Sequence, residues 1–150
     1  MITVPFFYFH SVYTKKEDVR DIPNMQRKLS AIILIAMTMI LGSLQSSVLP
    51  DLINLYSSLN IPTPILIQSS PYVFAIFAIV SLISAVYLLS TKPDYSKVDA
   101  VANKYKNGEM IKTRELVDHR YQLIPLLFMV LAIGLAVIMI ILPTYSLTGK

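Results

Sequence analysis

The chain has 150 residues, enough for one domain, and 55% of them are apolar, above the share in ordinary soluble chains. It holds no cysteine, which excludes disulfides, thiolate metal sites, iron–sulfur ligation and a cysteine nucleophile. Thirteen Lys and Arg against nine acids leave a net charge of +4, and because these basic residues flank hydrophobic runs they point to lipid headgroups, with nucleic acid excluded as a partner.

The opening "MITVPFFYFHSVY" is apolar and aromatic, but it is too short to span a bilayer and its charges follow it, unlike a signal peptide. Phe6, Phe7, Tyr8 and Phe9 are expected in the cytoplasmic membrane interface or against a partner, the alternative being a disordered leader. Residues 1–30 form this cytoplasmic or interfacial segment.

Three uncharged runs follow: "AIILIAMTMILGSLQSSVL" (31–49), "YVFAIFAIVSLISAVYLL" (72–89) and "LIPLLFMVLAIGLAVIMIIL" (123–142). At about 1.5 Å per residue each helix is roughly 27 to 30 Å long, matching the hydrocarbon core of a bilayer. The fold class is therefore all-α and integral to a membrane, a single domain with three transmembrane helices. Pro50, Pro71, Pro93 and Pro143 fall just outside the runs and Pro125 in the first turn of the third, so no proline is expected to interrupt a span. Tyr72, Tyr87, Tyr121 and Tyr145 mark the ends of the second and third runs as interfacial anchors.

Between the first two runs, Leu52, Leu55, Tyr56 and Leu59 keep helical spacing after Pro50 and Asp51. This predicts a short interfacial helix, then an extended Pro62-x-Pro64 piece. Between the second and third, residues 94–121 read as a cytoplasmic helical hairpin. Ser96 and Asp99 have the capping-box form; Val98, Val101, Ala102 and Tyr105 make one apolar face; Asn107 and Gly108 end the helix. Thr113 then caps a second helix that runs through Val117, Tyr121 and Ile124 into the third span. "YKNGEMIKTRELVDHRYQL" resembles the helical-hairpin module known as SHOCT. Tyr105, Gly108, Glu109, Ile111, Thr113, Glu115, Arg120 and Leu123 take its places, with one residue inserted before the isoleucine and an internal position where the module is usually terminal. The resemblance implies association. "VLPDLINLYSSLNIPTPILIQSS" and "ILPTYSL" are similar to the inner-membrane platform family of type II secretion and type IV pilus systems, which implies three spans of the same orientation. The large cytoplasmic domains of that family have no counterpart here, so its contacts with an assembly ATPase are not carried over.

Lys and Arg number five in residues 1–28, none in 50–71, seven in 91–121 and one after Pro143. This alternation places the N-terminus in the cytoplasm and the C-terminus outside, in a cell or inner membrane.

Residues able to do chemistry are scarce. Gly42, Gly108, Gly134 and Gly149 are too dispersed for a phosphate loop or nucleophile elbow. His10 and His119 are far apart in sequence, and Met37, Met39, Met129 and Met139 take packing positions, so no metal, haem or other cofactor is expected. Glu17 and Asp18 belong to a charge run. No Asp, Glu, Lys, Arg or His lies within a span, which argues against a pump or coupled transporter. The chain reads as no enzyme. What remains are packing groups: Gln45 among Ser43, Ser46 and Ser47; the small-residue pairs that Gly42, Ser81, Ala85, Ala132 and Ala136 enter; and Ala78 and Gly134 beside them. The function expected is a non-catalytic accessory subunit of a multi-subunit membrane complex, with other membrane subunits and lipid as partners. The alternatives are a reduced secretion or pilus platform protein and a small oligomeric pore former.

Overall fold

Apolar segments away from water can satisfy their backbone amides only within themselves, and these segments do so as helices. The computed structural model describes residues 16–107 and 118–148. Among the described residues there is no strand. The elements are α1 (Lys16–Ser58), α2 (Ile65–Ser90), α3 (Tyr95–Lys106), α4 (His119–Ala136), a π-helical segment (Val137–Ile141) and α5 (Leu142–Thr148). Three stretches, Pro23–Ser58, Ile65–Ser90 and His119–Tyr145, are long and apolar enough to cross a membrane. Each is longer than the run that announced it. The helix expected after Pro50 is not a separate element: α1 continues through Pro50 to Ser58 and buries Leu52 and Tyr56, while Leu55 and Leu59 stay exposed.

The end of α1 is set by a Schellman motif. Asn60 takes a left-handed φ of 54°, its N–H donates to the Ser57 carbonyl at 3.1 Å, and the Ile61 N–H donates to Tyr56 at 3.1 Å. Pro62 then bars any continuation, and residues 61–64 run without helix into α2.

Two compact units organise the chain, Met1–Ile33 with Ser84–Leu126, and Leu34–Ile83 with Leu127–Lys150. In the second, α1 buries Leu34, Leu41, Leu49, Leu52 and Tyr56, and α2 buries Ile67, Ser70, Phe74, Phe77 and Ser81 at alternating steps of three and four. Phe77 meets Phe128 edge to face, with centroids 5.5 Å apart and planes at 70°. Such a pair contributes about 1 kcal/mol beyond its buried area. Ser81 Oγ donates to the Leu34 carbonyl at 3.2 Å and Tyr56 Oη to the Pro143 carbonyl at 3.1 Å, joining α1 to α2 and to α5.

In the first unit α1 buries Gln26, Ser30 and Ala31, α2 buries Ala85 and Leu88, and α4 buries Tyr121 and Pro125. α3 adds Val98, Val101 and Ala102, the apolar face its spacing predicts. Its cap differs from expectation. Asp94, not Ser96, is the N-cap, accepting the Ser96 N–H at 3.1 Å and the Ser96 hydroxyl at 2.5 Å. A carboxylate one step before the helix reaches the N2 amide, which Ser96, already inside the first turn, cannot do. α3 stops at Lys106, and the Asn107 N–H turns back to Asn103 and Lys104. Thr113, Glu115 and Val117 lie outside the described residues, as does most of the SHOCT-like stretch. The expected unbroken passage into the third span is corrected at Asp118, which is non-helical and caps α4 by accepting the Arg120 N–H at 3.0 Å.

Pro50 and Pro71 are expected just outside the runs and Pro125 in a first turn, yet Pro50 lies within α1, Pro71 within α2 and Pro125 past the first turn of α4. Each removes the amide that would bond the carbonyl four residues earlier. Two of those carbonyls have found hydroxyls. Ser70 Oγ donates to Ile67 at 2.6 Å, replacing the bond lost to Pro71, and Ser30 Oγ of α1 donates to Tyr121 at 2.5 Å, replacing the bond lost to Pro125. Before Pro143 the chain takes another course. The Leu142 N–H reaches back to Val137, widening the turn where the proline ring would meet the Met139 carbonyl. Beyond this turn Pro143 is buried and Leu142 is 55% exposed.

Replacing Ser30 by Ala is expected to destabilise the protein by about 1 kcal/mol. In a Pro125→Ala background, which restores an amide to the Tyr121 carbonyl, the same change should cost much less. Reversible unfolding in mixed micelles measures both, and equal costs in the two backgrounds would show that the hydroxyl does not replace the missing amide.

Candidate functional site

α1 changes character along its length. Gly42, Ser43, Ser46 and Ser47 are all exposed, and Gln45 is half-buried. A Cβ built on Gly42 would meet nothing within 4 Å, nor would one on Gly134, so neither glycine is needed for a contact within the chain. Of the other packing residues picked from the sequence, Ser81, Ala85 and Ala132 are buried, while Ala78 and Ala136 are half-buried like Gly134. The structure thus divides the small residues into an internal set on α2 and α4 and an outward set on α1.

Large aliphatic side chains show the opposite distribution. On α2, Ile76, Ile79, Ile83 and Val86 are each about 60% exposed, whereas Ser70 and Ser81 are fully buried. A helix in water is arranged the other way. With an apolar surrounding there is no reward for hiding isoleucine, and small residues win the interior because they let backbones approach.

The tyrosines picked as anchors separate. Tyr72, Tyr87 and Tyr145 are exposed, but Tyr121 is only 1% exposed, which corrects its place among the anchors. Its carbonyl is the one taken by Ser30, so the residue is held inward by α1. The Tyr121 hydroxyl and both amide atoms of Gln26 are buried with no hydrogen-bond partner among the described residues. Buried polar groups without partners cost on the order of 1 to 3 kcal/mol each.

Beside them lies the end of α2. Its last carbonyls are met by nearby donors: the Thr91 N–H bonds Tyr87 at 3.0 Å, Thr91 Oγ1 bonds Leu88 at 3.0 Å and Ser90 Oγ bonds Val86 at 2.8 Å. The Thr91 carbonyl accepts from the Arg27 guanidinium at 2.7 Å, and a second guanidinium nitrogen donates to Asn24 Oδ1 at 2.7 Å. A cation at a helix C-terminus also opposes the negative end of its dipole. Arg27, Gln26, Ser30 and Thr91 are the residues that sequence reasoning did not select. The signal for Ser30 was Pro125, whose freed carbonyl demanded a donor from somewhere.

Asp94, Asp99 and Asp118 of the same unit are engaged. Arg120 binds Asp118 with two nitrogens, the shorter contact being 2.7 Å. Those side-chain hydrogen bonds hold the Asp118 carboxyl below its ordinary range, partly offset by burial and assisted by the positive charges of Arg120 and Lys97. Asp94 is lowered likewise, first by the Ser96 hydroxyl. Among the described residues no three His, Asp or Glu side chains gather as metal ligands. What the arrangement can do is bond carbonyls, cap helices and present positive charge. No protein-family model, curated protein or solved structure matches this chain.

Because the Asp118 carboxyl is lowered on folding from the ordinary 3.8, its contribution to the start of α4 is complete above that value and is lost as pH falls through the folded one. Amide protection in the first turn of α4, corrected for intrinsic exchange, should therefore fall on acidification below about 4. Asp118→Asn should start lower and lose this pH dependence; an unchanged profile in the variant would assign the effect to another group.

Proposed function

We propose that this chain is a non-catalytic subunit of a multi-subunit membrane complex, crossing the bilayer three times with its N-terminus in the cytoplasm and its C-terminus outside. The observation that carries the reading is the outward set of small residues on α1, Gly42, Ser43, Ser46 and Ser47, in a helix whose large apolar neighbours Met39 and Ile40 are 69% and 60% exposed. A glycine inside a helix costs about 1 kcal/mol relative to alanine in water. Among the described residues nothing approaches Gly42 closely enough to offset that cost. A helix of another subunit does so, because a small-xxx-small face lets two backbones come together and exchange packing and serine hydrogen bonds where hydrophobic force is absent. Membrane insertion is supported by the three apolar helices and by the outward isoleucines of α2. The orientation is supported by the alternation of Lys and Arg between the connecting segments.

Tagged protein at its natural level of expression should be recovered in mild detergent with other membrane proteins in fixed proportion. A Gly42→Leu, Ser46→Leu variant should lose them several-fold while keeping the helical content of the parent. Recovery of the parent as a lone monomer counts against the complex. Topology is checked separately, since the parent has no cysteine: Ser58→Cys should react with an impermeant thiol reagent in intact cells and Asn107→Cys only after permeabilisation. The reverse pattern inverts the orientation.

A further inference from the structure

The basic residues around the end of α2 fall into two groups. Arg120 is bound to Asp118, and Lys97 lies in the field of both Asp94 and Asp118. Arg27, Lys28 and Lys92 make no ion pair among the described residues, and Lys28 and Lys92 are exposed. The contact of Arg27 with the Thr91 carbonyl brings together the two chain segments that carry these residues, because Lys28 follows the one and Lys92 the other. Among the described acids of the unit, Asp94 and Asp118 cap helices, and Asp99 has a partner of its own. The carbonyl end of α2 subtracts about half a charge, less than the three cations bring.

Arg27 is also held in a fixed attitude. Its two hydrogen bonds, both 2.7 Å, run to neutral oxygens on different elements, so the planar guanidinium is oriented without being neutralised. Guanidinium oriented in this way, flanked by two mobile ammonium groups, is the chemistry that receives a phosphate. Its position, at the point where α1 and α2 pass from apolar to charged sequence, is the level at which a bilayer keeps its phosphates.

We propose that Arg27, Lys28 and Lys92 form a binding site for the phosphate of an anionic lipid headgroup at the junction of α1 and α2. The site rests on the membrane reading above but needs neither the partner subunits nor the orientation. Each cation near an anionic surface strengthens binding several-fold, and the attraction weakens with salt.

The test is retention of phosphatidylglycerol against phosphatidylcholine by the full chain, drawn from mixed vesicles into detergent and weighed by native mass spectrometry. Wild-type protein should keep phosphatidylglycerol preferentially. Lys28→Gln with Lys92→Gln, both at exposed positions that hold no structural bond, should lower that retention roughly tenfold, whereas Lys97→Gln with Lys104→Gln should leave it near the wild-type value. Equal retention of the two lipids, or no loss in the Lys28, Lys92 variant, overturns the site. Glycerol phosphate added in solution should not displace the lipid; displacement at millimolar levels would make the seat one for free phosphate and overturn the lipid assignment. If the chain inserts into phosphatidylcholine vesicles and shows no preference, this site alone fails. Failure to enter vesicles of either composition sinks the membrane reading itself.

Discussion

A carbonyl that has lost its amide partner inside an apolar helix must be given another donor, and much of this structure follows from how that is done. Water cannot supply the bond in such surroundings, and an unmet peptide group would cost several kcal/mol. The hydroxyl of Ser30 supplies it to Tyr121. One bond thereby sets the height of α1 against α4 within their unit and turns Tyr121 inward. It also lets Pro125 stand well inside a helix. Ser70 does the same for Ile67 from within its own helix, with no consequence for neighbouring elements. The two cases differ only in where the donor comes from, yet one merely repairs a helix and the other joins two.

Pro143 shows a third solution, in which the helix itself is rewound. A wider turn over Val137–Ile141 makes room for the ring. The buried Pro143 carbonyl then receives the Tyr56 hydroxyl, so a local defect becomes a tertiary contact in the unit that contains it. Prolines here are therefore positions where helices are made to interact.

The functional reading follows from the distribution of side chains. Ser70, Ser81 and Ala85 share the interior of α2 with Ile67, Phe74, Phe77 and Leu88, while Ile76, Ile79, Ile83 and Val86 face outward. That arrangement is compatible with apolar surroundings, whereas in water the exposed aliphatic surface would favour aggregation. In the proposed reading, the outward Gly42 and its serine neighbours on α1 are the part of the apolar surface that a helix of another subunit would meet, and the cations at Arg27, Lys28 and Lys92 the part of the polar surface that would meet an anion.

The amino-acid order by itself determined that three apolar segments are helical, that Pro62 and Pro64 interrupt the chain between the first two, and that Val98, Val101 and Ala102 share a face. Each of these depends on local backbone preferences or on a polar–apolar period, which a sequence displays directly. It did not disclose how far the helices extend through their prolines, because that depends on whether a hydroxyl from elsewhere reaches the freed carbonyl. Nor did it disclose which face of α2 is buried. A helix apolar on every side has no period to read, and the choice of Ser70, Phe74, Phe77 and Ser81 as its inner face was made by the neighbours it packs against. Tyr121 was misjudged for the same reason. A tyrosine at the end of an apolar run is suited to either an interface or a core, and only the contact of Ser30 with its carbonyl decided between them.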